Sequence, residues 1–158
     1  MAETRQTRKT ATGDWPKRGE IYLTALDPTV GHEIKKTRPA LVIQNDTSNR
    51  YSAITMVAPI TSTVRLPLSP VHVLAPANAS TGLAVASVAV FNQIRAVDRS
   101  GLIKKLGEVD ALILLQVDEA IKAAFGLSAS EPGADPSPTV TEAISEGTRD
   151  IKTGRYEL

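Results

Sequence analysis

Short stretches rich in apolar residues, separated by polar turn-formers, occupy most of the chain between residues 20 and 97. Runs of this length bounded by Gly, Pro, Asn and Asp are typical of β-strands. The pattern predicts strands at 20–26, 40–44, 53–60, 71–74 and 87–91, with 93–97 continuing the last strand or forming another. A brief pairing is a candidate at 83–84, turns are expected at 45–49 and 98–101, and prolines exclude an interior strand over 66–70.

A helical period replaces the strand pattern after this region. Apolar residues recur three or four positions apart over 108–125, and Gly126 is expected to end the helix. The residues expected to face the core are Val109, Leu112, Ile113, Val117, Ala120, Ile121 and Ala124. Several short strands followed by one amphipathic helix predict a mainly β fold, a small antiparallel barrel with a C-terminal helix packed on it.

The two ends of the chain differ from this body. Residues 1–16 are polar and lack periodicity, which is typical of a disordered tail. Residues 128–138 are rich in Ser, Ala, Gly and Pro, as expected of a linker. The capping-box pattern Thr139-Val140-Thr141-Glu142 then indicates a short helix in an acidic tail. The predicted organisation is therefore one domain at 17–127, with extensions at 1–16 and 128–158.

Charge is distributed unevenly along the chain, although the formal net charge is only +1. Residues 1–128 hold 15 Lys and Arg against 11 Asp and Glu, whereas residues 129–158 hold 3 against 6. A mildly basic body suits a nucleic-acid ligand, and an acidic tail could mimic one. Charge that only maintains solubility is the ordinary alternative.

Composition excludes several classes of protein. There is no cysteine, which excludes disulfides and thiol chemistry and fits a reducing cytoplasm. With only His32 and His72 as imidazoles, a structural zinc site is not expected. No run approaches the roughly 20 apolar residues of a membrane helix, and the N-terminus lacks the apolar core of a signal peptide. We expect neither a cofactor nor a membrane partner.

The segment 31–46 combines a charged loop with the apolar run of the second predicted strand. Pro39 favours an extended conformation for Arg38, so the guanidinium should lie at the start of a rigid strand. A fixed guanidinium near other cations suits a phosphate, to which its planar fork can donate two hydrogen bonds. A solvated hairpin loop before a core strand would have the same spacing, and on spacing alone it is the commoner case.

The chain offers a set of side chains that could cleave RNA without a metal. Such a site must hold the phosphate for in-line attack by the 2′-hydroxyl, exchange protons with the two oxygens and stabilise developing charge. Arg38 would clamp the phosphate, and Thr61 would donate its hydroxyl. Glu33 is a candidate base, and His32 is a candidate acid or base. Each also has an ordinary role: a turn-capping threonine, an exposed imidazole, or a salt bridge from Glu33 to a neighbouring lysine.

The order of several short motifs resembles the MazF/PemK family of toxin endoribonucleases. The motifs are Arg18-Gly19-Glu20-Ile21-Tyr22, Leu26-Asp27-Pro28, Gly31-His32-Glu33, Thr37-Arg38-Pro39, Val42-Ile43-Gln44-Asn45-Asp46, Ala58-Pro59-Ile60-Thr61-Ser62, Asn92-Gln93-Ile94-Arg95-Ala96-Val97-Asp98 and the helix ending at Phe125-Gly126-Leu127. The resemblance covers roughly residues 17–127. It implies an SH3-like barrel that dimerises, a cognate antitoxin, and single-stranded RNA as substrate.

The resemblance also implies roles for individual residues. The arginine before proline and the threonine after Pro-Ile form the family's catalytic pair, which corresponds to Arg38 and Thr61. One PemK-type branch uses an arginine and an aspartate where this chain has Val90 and Asn92, so the proton donor and acceptor stay open. The residues expected to contact RNA are Lys35, Lys36, Thr37, Ser62, Arg65 and Gln93.

Two other functions were weighed against RNA cleavage. A topoisomerase poison of the CcdB type shares the fold, but that family has a tryptophan near its C-terminal end, and the only tryptophan here is Trp15. A noncatalytic RNA- or peptide-binding barrel needs exposed aromatic residues, and the chain has two Phe, three Tyr and one Trp. The sequence therefore favours a sequence-selective, metal-independent endoribonuclease, the toxin of a toxin–antitoxin pair.

The acidic tail suggests a way to restrain activity. Acidic side chains alternate with Val140, Ile144 and Ile151, as in antitoxin segments that order on binding. Tethering would give the tail an effective concentration of roughly millimolar at an RNA groove. An extension without any role is the alternative, and it is the commoner case. If the tail inhibits, a chain ending at Leu127 cleaves RNA faster than the full chain, and added salt reduces the difference. Identical rates at low salt would contradict this hypothesis.

Overall fold

The computed structural model describes residues 14–26, 31–33 and 36–127. Within them, seven β-strands precede a long helix. The strands are β1 (Glu20–Ala25), β2 (Thr37–Val42), β3 (Ile54–Thr61), β4 (His72–Ala75), β5 (Ser87–Val90), β6 (Arg95–Asp98) and β7 (Leu102–Glu108), and the helices are α1 (Asp46–Tyr51) and α2 (Ala111–Phe125). The predicted mainly β fold with a C-terminal helix is confirmed.

All strand pairs are antiparallel, in the order β4-β5-β3-β2-β1-β7, with β6 also paired to β3. The strand β3 organises the sheet because it has three partners. Its first half pairs with β6, its last two residues pair with β5, and residues 57–59 pair with β2. The strand β3 therefore connects β2 and β6 to the β4–β5 pair.

The two faces of β2 bury different hydrophobic clusters. Leu41 belongs to the larger cluster, which lies under α2 and includes Phe91 and Val117, whereas Ala40 and Val42 belong to a smaller one. Successive side chains of a strand point to opposite faces, so a strand covered on both faces needs a continuous apolar run. This explains why residues 40–43 are all apolar.

Arg18 joins three elements near the start of the domain. Its Nη2 atom lies 2.6 Å from Oδ1 of Asp118 on α2, and its Nε donates to the carbonyl of Ile43 at 3.1 Å. The backbone N–H of Arg18 donates to Asp46 at the start of α1. Because these groups are partly exposed, the ion pair adds only modest stability, while Val117 and Ala120 of α2 pack in the core.

The turn expected at 45–49 is wrong, because α1 begins there. Oδ1 of Asn45 accepts a hydrogen bond from the backbone N–H of Ser48 at 2.8 Å and so caps the helix. Asn and Ser favour turns and helix N-caps by the same side-chain hydrogen bonds. Asn49 is fully buried and bonds both Gln44 and Thr55, which ties the short helix to the sheet.

The segment before α2 also differs from the expectation. Residues 102–108 form β7 on the outer side of β1, which the sequence pattern did not predict. The helix therefore begins at Ala111 rather than 108, and Asp110 caps it by accepting from Ile113 N–H at 2.9 Å. Leu112, expected in the core, is 72% exposed, while Val117 and Ala120 are buried as expected.

Smaller differences occur between β4 and β7. Residues 83–84 form no strand and instead belong to the loop before β5. A 3₁₀ turn at Phe91–Gln93 separates β5 from β6, so the second of the two alternatives for 93–97 is correct. The turn expected at 98–101 is a 3₁₀ turn at Arg99–Gly101. The expected N-terminal extension, apart from its last three residues, and the C-terminal extension lie outside the described residues.

Candidate active site

The register of β2 against β3 brings the two principal candidates toward each other. The ladder pairs Val42 with Val57 and Ala40 with Pro59. The paired residues end two positions from Arg38 on β2 and two positions from Thr61 on β3. Arg38 and Thr61 therefore lie at the neighbouring ends of adjacent strands.

The ladder between these strands stops just before the two candidates. Pro39 and Pro59 lack a backbone N–H, so neither can donate a ladder hydrogen bond. Beyond them, a cavity of about 220 Å³ opens beside the strand ends. Its lining residues are Arg38, Pro39, Ile60, Ser62, Leu83, Ala84, Val85 and Ser87. The half-buried Arg38 thus combines a rigid backbone with access to a concave surface.

The end of β3 supplies two hydroxyl groups with different surroundings. Thr61 is half-buried, and its Oγ1 accepts a hydrogen bond from the backbone N–H of Thr63 at 3.2 Å. This is the turn-capping geometry considered for Thr61, but a hydroxyl that accepts can still donate its own proton. Ser62 lines the cavity with Arg38, whereas Thr61 does not. The structure therefore brings Arg38 and Ser62 to one cavity and places Thr61 beside it.

The charged loop before β2 is described only in part. His32 and Glu33 are exposed, and Glu33 Oε2 accepts from the backbone N–H of Gly31 at 2.7 Å. Lys36 has a φ of 69°, and its carbonyl accepts from Leu26 N–H at 3.0 Å. This bond closes the loop at the start of β2 and so helps to fix Arg38. Lys35 lies outside the described residues.

The remaining candidates for RNA contact lie on three different segments and differ in exposure. Thr37 is exposed and pairs with Ala25 at the start of β2. Arg65 is exposed in the segment after β3, and Gln93 is half-buried in the turn between β5 and β6. These residues are not in the cavity lining.

The loop between β4 and β5 forms a wall of the cavity that sequence analysis did not assign to the site. Two glycines allow the backbone of this loop to pack closely against β7. A Cβ on Gly82 would lie 1.9 Å from the carbonyl oxygen of Leu106, and one on Gly107 would lie 2.1 Å from that of Ser80. Gly82 also has a φ of 66°, which favours glycine. The two glycines were the available signal, since backbones that approach so closely leave no room for side chains.

Thr81 fixes the same loop from inside. Its buried hydroxyl donates to the carbonyl of Pro76 at 2.6 Å, and its Oγ1 accepts from Leu83 N–H at 3.3 Å. Its backbone N–H donates to Asn78 Oδ1 at 2.9 Å. These hydrogen bonds tie the start of the segment 83–85 to residues 76–78.

Two ionisable side chains with raised pKa values, Tyr22 and Lys105, lie on β1 and β7 and do not line this cavity. Burial, followed by the nearby Glu20 carboxylate, raises the pKa of Tyr22 to about 12. Glu20 also lies 2.5 Å from Lys105 Nζ, and their hydrogen bond raises the pKa of that lysine. The three side chains join neighbouring strands, which is sufficient to explain them as a structural cluster.

Among residues 14–26, 31–33 and 36–127, no three His, Cys, Asp or Glu side chains are grouped as a metal ion would need. In the same part of the chain, no helix is long and apolar enough to cross a membrane.

Comparison with known proteins shows the relationship suggested by the motifs. Residues 17–125 match the family model described as the PemK-like, MazF-like toxin of type II toxin–antitoxin systems. The chain is 39% identical over 111 residues to the endoribonuclease EndoA of Bacillus subtilis (strain 168), covering 70% of this chain and 95% of that protein.

Solved structures show the same fold. MazF from Deinococcus radiodurans aligns with a TM-score of 0.60 and 28% identity, over 71% of this chain and 97% of its own. A mycobacterial endoribonuclease in complex with its cognate antitoxin aligns with a TM-score of 0.58 and 26% identity, over 73% and 99%. From the family match and the similarity to EndoA, the chain belongs to the PemK-like, MazF-like toxins of type II toxin–antitoxin systems.

Proposed function

We propose that this chain is a toxin that acts as a sequence-selective, metal-independent endoribonuclease on single-stranded RNA. The observation that carries the proposal is that Arg38 and Thr61 lie at the neighbouring ends of β2 and β3, with Arg38 lining an open cavity. Membership of a toxin family whose relatives include named endoribonucleases supports the same activity. The alternatives, a topoisomerase poison and a noncatalytic barrel, have no comparable support.

The chemistry uses the RNA's own 2′-hydroxyl. Its oxygen attacks the adjacent phosphorus, and the bond from phosphorus to the 5′-oxygen of the next nucleotide breaks. A base removes the 2′-proton, and an acid gives a proton to the departing 5′-oxygen. The products are a 2′,3′-cyclic phosphate and a 5′-hydroxyl, and no metal-activated water is needed.

Arg38 has the central role in this reaction. Its guanidinium donates to the non-bridging oxygens, where negative charge grows in the transition state. Thr61 donates its hydroxyl to the same phosphate. His32 and Glu33 are the candidates for proton transfer, because their exposed loop precedes the strand that carries Arg38.

The neighbouring polar residues would hold the substrate. Lys35, Lys36 and Arg65 would contact RNA phosphates, which makes binding weaker at high salt. Thr37 and Ser62 would donate hydrogen bonds at the strand ends, and Gln93 can bond a base edge or a ribose.

The proposal also includes partners. A cognate antitoxin follows from the family description, and for a messenger RNA substrate we propose a location in the cytoplasm. We further propose a homodimer whose intersubunit groove takes RNA. Exposed apolar side chains of α2, including Leu112 and Leu115, support an apolar partner surface. Light scattering should give twice the chain mass, and a fully active monomer would contradict the dimer.

RNA cleavage in the presence of EDTA tests the proposed function. The purified protein should cut a mixed single-stranded RNA at the same rate with and without EDTA. The products should carry 5′-hydroxyl ends, which a kinase can label without prior phosphatase treatment. Loss of all cleavage in EDTA, or products with 5′-phosphates, would refute the proposal.

A further inference from the structure

Lys36 joins the charged loop to β2, and its backbone conformation is unusual. Its φ of 69° lies in the left-handed region. Within residues 14–26, 31–33 and 36–127, every other residue with a positive φ is a glycine. A residue with a Cβ disfavours this region, because the Cβ comes too close to the following carbonyl oxygen. Such a conformation persists only where the surrounding structure holds it, and it is commonest at functional sites.

The structure holds Lys36 through its backbone rather than its side chain. The carbonyl of Lys36 accepts a hydrogen bond from the N–H of Leu26 at 3.0 Å, while the side chain is exposed. Leu26 follows β1 and is fully buried in the smaller hydrophobic cluster, so its N–H is a fixed donor. A buried N–H without a partner would be costly. The bond therefore favours the one backbone conformation that directs this carbonyl toward β1.

The same bond begins the pairing of β1 with β2. From it the register continues without a shift, with Thr37 opposite Ala25 and Arg38 opposite Thr24. Arg38 is two residues from Lys36, roughly 7 Å along an extended strand. A different backbone direction at residue 36 would therefore disturb the pairs that hold the end of β2, and with them the guanidinium.

We propose that Lys36 is a positioning residue, whose left-handed backbone conformation holds the start of β2 so that the Arg38 guanidinium lines the cavity. The inference rests on the proposed function, because it concerns the residue that has the central role there. It gives Lys36 a second role, separate from the contact of its ammonium group with RNA phosphate. Activity should then depend on the backbone preference of residue 36 even among side chains that carry no charge.

Uncharged substitutions at Lys36 separate the two roles, because all of them lose the ammonium group alike. Lys36→Gly and Lys36→Asn tolerate the left-handed region, whereas the branched side chain of Lys36→Val does not. Cleavage of one RNA is measured in single turnover over a range of protein concentrations. The glycine and asparagine variants should reach similar rate constants at saturating protein, and Lys36→Val should be about tenfold slower, as a displaced catalytic group is. Lys36→Ala should lie between them, which keeps the comparison decisive if Lys36→Val does not fold.

The dependence on protein concentration distinguishes positioning from a general loss of folded protein. A displaced guanidinium lowers the rate constant at saturation, because the bound RNA reacts more slowly. A fraction of unfolded protein instead raises the half-saturating concentration and leaves the rate constant at saturation unchanged. The matched control is Lys104, which is exposed on β7 and does not line the cavity. Lys104→Gly and Lys104→Val should both cleave at the wild-type rate.

Equal rate constants at saturation for the glycine, alanine and valine variants of Lys36 would overturn the inference. A difference confined to the half-saturating concentration would also overturn it, because that result indicates a loss of fold alone. Both outcomes require a wild-type protein that cuts RNA. A wild type without any cleavage would refute the proposed function itself, and the inference with it.

Discussion

Arg38→Ala should reduce RNA cleavage by about 100- to 1,000-fold while the protein stays folded. Removing a preorganised donor aimed at developing negative charge costs roughly 3–4 kcal/mol in well-studied sites. Arg38 is half-buried beside an open cavity rather than in either hydrophobic cluster, so its loss leaves the core intact. The effect should appear in the rate constant of cleavage under single-turnover conditions, with an unchanged Tm. Thr61→Ala should lose less, because it removes one neutral hydroxyl.

Two comparisons make this result specific to the site. Arg38→Lys keeps the charge but loses the planar fork, so it should recover only part of the activity. Arg50→Ala removes a guanidinium on α1, where it lies 5.3 Å from the ring centroid of Trp15. Because α1 connects the other ends of β2 and β3, about 20 Å away along the strands, this control should cleave normally. Equal activity of Arg38→Ala and wild type would end the assignment.

Gly82→Ala should destabilise the protein by at least about 3 kcal/mol, as overpacking against rigid structure does. The new Cβ would lie 1.9 Å from a backbone oxygen of β7, and the backbone cannot yield as a flexible side chain would. The loop carrying residues 83–85 would have to move, so activity should fall together with stability. Chemical denaturation of the variant measures the change in the free energy of unfolding.

Gly126→Ala is the matched control for backbone conformation. Gly126 has a φ of 69°, close to the 66° of Gly82, but a Cβ there would contact nothing within 4 Å. Only the left-handed conformation is then penalised, by about 1 kcal/mol. A similar loss of stability in both variants would show that the contact with Leu106 is unimportant.

Strands with buried faces could be predicted from the sequence, whereas a strand with mostly exposed side chains could not. The run at 40–43 was recognisable because both faces of β2 are covered. In β7, Ile103, Lys104 and Lys105 are consecutive exposed residues, so neither an alternating nor a continuous apolar pattern marks the strand. Its place is fixed by pairing with β1, and a tertiary contact of this kind leaves little local signal.

Some residues of the candidate site could be predicted from the sequence, and others could not. Arg38 and Thr61 were identified by motifs that resemble a family, and their placement at neighbouring strand ends follows from the pairing of two recognised strands. Leu83 and Val85 could not be assigned, because they reach the cavity through a loop packed on β7, which was itself missed. The charged loop gave candidates for proton transfer, His32 and Glu33, whose part in catalysis stays a prediction.

The most direct test of the central claim uses one RNA with a single atom removed. A short RNA containing one cleavage site is compared with the same RNA carrying 2′-deoxyribose on the 5′ side of the scissile bond. If the 2′-hydroxyl is the nucleophile, the wild-type protein in EDTA cuts the first RNA and leaves the second intact at that bond. Cleavage of both RNAs at equal rates would contradict the account.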